Sequence, residues 1–200
     1  MPALQPWQRD SPGEYARGIT PPGSHTISEV SYPATPFSFL TREKDMSNRK
    51  FSFEVTRTSS ASAAVLFRLV TDGANWAKWA KPIVLQSSWA RLGDLRPGGI
   101  GAVRKIGIWP ILVREETVEY EQDRRHLYKL IGPPNPAKDY LGEVLLAPNA
   151  AGGTNIHWSG SFTENIPGTG PVMRAALKGA VRCLTVRLVK TAERESDGVQ

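Results

Sequence analysis

Arg104, Arg114 and Glu116 stand out chemically because each interrupts an otherwise apolar strand face. Arg104 alternates with Ile100, Ala102, Ile106 and Ile108, and Arg114 and Glu116 alternate with Leu112, Val118 and Tyr120. A charge on such a face is costly to bury unless it is paired or hydrogen-bonded. Two readings follow. Either the three form the polar end of a cavity, with at least one Arg–Glu pair, and orient a ligand's carbonyl or hydroxyl, or a bulge reverses the face and they meet solvent. Trp79, Trp89, Tyr128, Tyr140 and Trp158 form a second set, at positions that would line or rim the same cavity. Core packing is the default for any one of them, but their number favours some as pocket lining.

Other chemistries find less support. The histidines are His25, His126 and His157, too few and too scattered for a converging metal site. His157 lies between Ile156 and Trp158, so alternation points it outward. Cys183 flanks the apolar face of a helix and reads as a packing residue, with no histidine placed to activate it. Gly98, Gly99 and Gly101 do not make a dinucleotide fingerprint, because Arg104 stands where its last glycine belongs and a strand follows where a helix should. No phosphate loop ending in Gly-Lys-Ser/Thr is present, and no cofactor is expected.

The elements that must position these residues begin after a long lead-in. Across residues 1–45, seven prolines interrupt every candidate element and no periodicity persists, so the segment is expected to be a disordered tail. Met46 is expected to open the functional domain. Phe51, Phe53 and Val55 alternate with polar residues as a half-buried strand does. Ser59 or Ser60 is expected to cap a helix containing Ala64, Val65, Phe67, Leu69 and Val70, and a short helix carrying Trp76 and Trp79 ends at Pro82. Six strands are expected at 83–92, 99–108, 111–121, 126–132, 139–147 and 154–164, divided by Pro97-Gly98-Gly99, Trp109-Pro110, Asp123-Arg124, the prolines of 133–136 and Gly152-Gly153. Such short links make antiparallel neighbours. After Pro171, the residues Met173, Leu177, Ala180, Val181, Leu184 and Leu188 fall on one face of a long helix.

Composition agrees with one such domain: of 200 residues, 40% are hydrophobic and 22% charged, enough for a packed core. The net charge of +6 is unevenly distributed. Residues 170–194 hold six basic side chains against Glu193, a local basic surface rather than a basic groove. No aromatics interleave with these residues, so nucleic acid is disfavoured as a partner. An acidic partner or an anionic membrane surface at this helix is the alternative. A single cysteine, no apolar run long enough to span a bilayer and no secretory signal point to a cytoplasmic protein.

The order of elements resembles the START-like helix-grip superfamily, in particular its bacterial polyketide cyclase/dehydrase-type (SRPBCC) members. The resemblance covers about residues 50–194. It is carried by Asp72-Gly73-Ala74-Asn75-Trp76-Ala77-Lys78-Trp79, by Pro97-Gly98-Gly99-Ile100-Gly101-Ala102-Val103-Arg104, by Glu116-Thr117-Val118-Glu119-Tyr120 with Arg125-His126-Leu127-Tyr128, and by Gly153-Thr154-Asn155-Ile156-His157-Trp158. It implies an α+β fold: a curved antiparallel sheet of about seven strands round a long C-terminal helix, with two short helices after the first strand. The domain is expected over 46–195, with 196–200 a disordered C-terminus. Sheet and helix would enclose an apolar pocket for a small hydrophobic molecule, lipid- or polyketide-like. The alternative is a cofactor-free polyketide cyclase or dehydratase-type enzyme, and a lesser one an interaction protein using the basic helix.

Overall fold

The computed structural model describes residues 49–135 and 137–198; the expected tail, the Met46 boundary and residues 199–200 lie outside the described residues. The chain opens with β1 (Lys50–Ser59), on which Phe51 and Phe53 turn inward while Ser52 and Glu54 face solvent. α1 (Ala63–Thr71) follows, its first turn closed by the Ser62 hydroxyl accepting from the Val65 N–H at 3.4 Å. Ser59 and Ser60, expected as its caps, instead serve the far end of the chain: Glu193 Oε1 accepts from the Ser59 hydroxyl and the Ser60 N–H, each at 3.0 Å. α2 (Trp76–Trp79) comes next.

Six more strands then run as a meander: β2 (Gln86–Arg91), β3 (Val103–Ile108), β4 (Ile111–Glu121), β5 (Arg125–Ile131), β6 (Lys138–Pro148) and β7 (Thr154–Thr163). All pair antiparallel in the order β1-β7-β6-β5-β4-β3-β2. α3 (Gly170–Asp197) completes a helix-grip fold. Its start is fixed by the buried Glu164, whose carboxylate accepts from the Gly168 and Gly170 N–H groups at 3.0 and 2.9 Å, where the helix dipole favours negative charge. Val181, Leu184, Leu188 and Ala192 are buried against the core, while Arg174, Lys178, Arg182, Arg187, Lys190 and Arg194 are exposed.

The register of β4 corrects one expectation. Val113, Glu115 and Thr117 turn inward, so Leu112, Arg114 and Glu116 point outward, opposite to the alternation read from the sequence. The cause is a bulge between Thr117 and Glu119 that leaves Val118 unpaired against β5. One extra residue reverses the face, so Tyr120 is inward as expected and everything before the bulge is inverted. On β3, Ile106 is buried and so is Arg104, the inward one of the two readings for it, while Ile108 at the end of the strand and Ile100, which precedes it, are exposed.

Candidate functional site

A cavity of about 170 Å³ lies between the concave face of the sheet and α3. Its inner end is made by buried side chains: Trp76, Ile106, Glu115, Tyr128, Tyr140 and Trp158. Its outer end is a half-buried rim of Ile83, Gly107, Val113, Leu130, Leu177 and Ala180. The aromatic wall needs backbone without side chains beneath it. A Cβ on Gly142 would stand 2.4 Å from Tyr128 Cζ, and one on Gly160 would stand 2.5 Å from the Phe53 ring and 3.1 Å from the Tyr140 hydroxyl.

The inner end is polar and tightly braced. Arg104, 3% exposed, donates from Nε to Glu115 Oε2 at 2.7 Å and from Nη1 to the Val70 carbonyl at 2.5 Å. Its guanidinium carbon stands 4.1 Å from the centre of the Trp76 ring and 5.2 Å from that of Tyr128, a cation between two π faces. Nη2 is buried with no partner among the described residues. Trp158 Nε1 donates to the Tyr128 hydroxyl at 3.0 Å. Burial, reinforced by the Glu115 charge, pushes the Tyr128 phenol up to about 12. Burial and the neighbouring Tyr128 hold the Tyr140 phenol well above its ordinary range. Burial and then the Arg104 charge hold His126 well below the usual imidazole value, and its Nε2 lies 3.1 Å from the Thr117 hydroxyl. The cavity's inner end therefore offers neutral phenols and one arginine-braced carboxylate.

Of the residues expected at a site, Tyr128, Tyr140 and Trp158 line the cavity, and Arg104 acts on it through Glu115. Trp79 is buried but lies behind the wall, its ring 4.8 Å from that of Trp76, which is the residue that lines it. Trp89 packs against the Gly73 backbone, where a Cβ would stand 2.8 Å from its ring. Arg114 is exposed, and Glu116 sits on the outer face, 2.8 Å from Arg91 and 3.1 Å from Lys129. The interior Arg–Glu pair expected to use Glu116 does not form; the pair found there is Arg104–Glu115. Sequence reasoning missed Glu115, Trp76 and His126. The alternation of His126 with Tyr128 on β5 was the available signal for the last.

Residues 50–193 match the family model described as "Polyketide cyclase / dehydrase and lipid transport". The chain belongs to this family. Among solved structures, the fold is similar to the crystal structure of Ara h 8.0201, with a TM-score of 0.57 at 18% identity over 72% of this chain and 98% of that one. It is similar to an uncharacterised protein of Bacillus thuringiensis, with a TM-score of 0.57 at 15% identity over 71% and 98% of the two chains. It is also similar to XoxI of Bacillus cereus, with a TM-score of 0.57 at 16% identity over 70% and 94%. At these identities the likeness is one of fold. No curated protein matches the chain. Family and fold are consistent with binding a hydrophobic ligand or with cyclase-like chemistry. Among the described residues, no group of three metal-ligating side chains converges and no helix is long and apolar enough to cross a membrane.

Proposed function

We propose that this protein holds one small, largely apolar molecule in the cavity between sheet and α3, with a polar atom of that molecule against Glu115 and the two phenols. The observation that carries the reading is the polarity of the cavity along its length. Apolar side chains form the rim and most of the wall, and the braced carboxylate lies among the aromatic rings at the closed end. A cavity of this size matches roughly one or two fused rings, since an engineered apolar void of about 150 Å³ takes up benzene. A longer ligand would extend through the rim.

Native mass spectrometry of the full chain purified from its own host tests the proposal. The expected result is an adduct of one small molecule, absent from a Leu184→Trp variant whose new side chain fills the cavity. A wild-type chain that carries no adduct and takes up no aromatic probe sinks it.

A second reading, a cyclase or dehydratase, is supported by the same carboxylate. Glu115 is the group in the wall able to take a proton, while the raised phenols stay protonated and could polarise a carbonyl. Under that reading, Glu115→Gln removes turnover of a polyketide-like substrate far more than it weakens binding, because a group acting in the transition state affects rate selectively.

A further inference from the structure

Beyond the cavity itself, we propose that the end of the molecule bearing the β3–β4 hairpin docks on an anionic lipid surface, with the hairpin tip inserted among the headgroups. The tip is Ile108-Trp109-Pro110-Ile111, and Ile108, Trp109 and Ile111 are 45%, 74% and 63% exposed. Leu85, also exposed, is tied to the same hairpin by its N–H bonding the Gly107 carbonyl at 2.9 Å. The strand ladder runs from the closed end of the cavity outward through the cross-strand pairs Arg104–Glu115, Ile106–Val113 and Ile108–Ile111. The apolar wall of the cavity therefore continues past its rim onto an uncovered surface. A tryptophan at the head of such a patch suits the boundary between water and hydrocarbon, where its ring is buried and its N–H stays wet.

Charge decides the occupant. Segments 81–88, 105–114 and 171–182, which form the hairpin and its neighbours at the cavity rim, contain no Asp or Glu and hold Lys81, Lys105, Arg114, Arg174 and Arg182; Lys178, also within them, lines a separate groove with Glu54, Glu119 and Glu143. Lys105 and Arg114 stand directly opposite each other across the ladder, an arrangement that repels unless an anion lies over it. Lys81, Lys105 and Arg114 form no ion pair among the described residues. Among the described residues, the acidic groups at this end of the sheet are the exposed Asp139 and the buried Glu164, which is engaged in capping α3. The opposite end also exposes apolar side chains, Leu92, Leu95 and Ile100, but Leu95 and Ile100 share their groove with Asp94. Apolar residues ringed by uncompensated basic ones fit an anionic bilayer, with insertion and electrostatic attraction acting together.

The docking stands whether or not the cavity is filled, and its test needs no cavity ligand. Flotation of the full chain with vesicles of phosphatidylcholine alone, or with about 30% phosphatidylglycerol added, measures it at low and at high salt. Binding is expected on the anionic vesicles only and should fall as salt rises. Trp109→Ser/Ile111→Ser should weaken it by about tenfold or more through lost insertion, with an unchanged thermal midpoint. If that variant fails to fold, Lys105→Glu/Arg114→Glu on the outer surface carries the test, with the same expected loss. Leu95→Ser, at the opposite end, should leave binding unchanged. Any of three results overturns the proposal. One is no binding to anionic vesicles, and another is binding that survives the folded tip or charge variant. The third is self-association in solution abolished by the tip variant, which would assign this face to a second copy.

Discussion

Glu115 and Glu116 are adjacent in the chain and sit on opposite faces of one sheet, and almost everything about them differs. Glu115 faces the interior, its side chain 10% exposed, against an arginine that is itself 4% exposed. Glu116 faces outward between Arg91 and Lys129, side chains that are each about half exposed. Both carboxylates have basic partners at hydrogen-bonding distance. Water makes the difference: a solvated pair is weak because each charge is well hydrated apart, whereas a buried pair is indispensable once formed because neither charge can be left alone.

The largest effect is expected at the interior pair. Glu115→Gln leaves the Arg104 charge buried without its carboxylate and should cost about 3–5 kcal/mol in urea unfolding. Replacing both, as Arg104→Met/Glu115→Leu, should recover most of that loss while removing the polar end of the cavity. A cost below about 1 kcal/mol for Glu115→Gln would mean water reaches the pair and the contrast between the faces is false.

Next in size is the wall of the cavity. Leu184→Ala should cost about 2–5 kcal/mol, nearer the lower figure because Leu184 already borders open space. Leu188, fully buried and away from the cavity, should cost more when truncated to alanine. Equal losses at the two positions would argue that the space beside Leu184 is closed in solution.

The pH dependence separates the two faces again. His126 has a depressed value in the folded chain, so below its ordinary 6.5 the unfolded chain takes up a proton that the folded chain refuses. Stability should therefore fall as pH drops below about 6.5, with a slope approaching one proton, and His126→Gln should flatten that limb. Glu116 acts in a lower window. Its carboxyl is held below 4.5 chiefly by hydrogen bonding to Lys129, so its small contribution is present above 4.5 and is lost as pH falls through the folded value. Glu116→Gln should itself cost under about 1 kcal/mol at neutral pH, the smallest effect in the series.

The contrast between these neighbours also marks where sequence reasoning stops. Strand order was legible because turn chemistry divides it, as at Trp109-Pro110, and β4 spans the residues its alternation and flanking turns suggest. Its face was not legible, because nothing in Thr117-Val118-Glu119 announces a bulge. The partner of Arg104 could have been found by another route. A two-residue turn at Trp109-Pro110 sets Ile108 opposite Ile111, and counting back four residues on each strand sets Arg104 opposite Glu115. Hairpin register was the stronger clue, and alternation through the bulge the weaker one. Trp76 was missed in favour of Trp79 because both are buried on one short helix, and its rotation against the sheet is a tertiary matter.

The inner cavity should receive an apolar ring, and its braced carboxylate should recognise a polar atom on that ring. Calorimetric titration of the full chain with naphthalene and with β-naphthol, which differ by one hydroxyl, addresses both halves at once. Saturable one-to-one binding of both is expected, with β-naphthol about tenfold or more tighter through its hydrogen bond to the charged group. That preference should vanish in Arg104→Met/Glu115→Leu while naphthalene binding persists. Equal affinities in the wild type, or no saturable binding of either compound, would contradict this reading of the cavity.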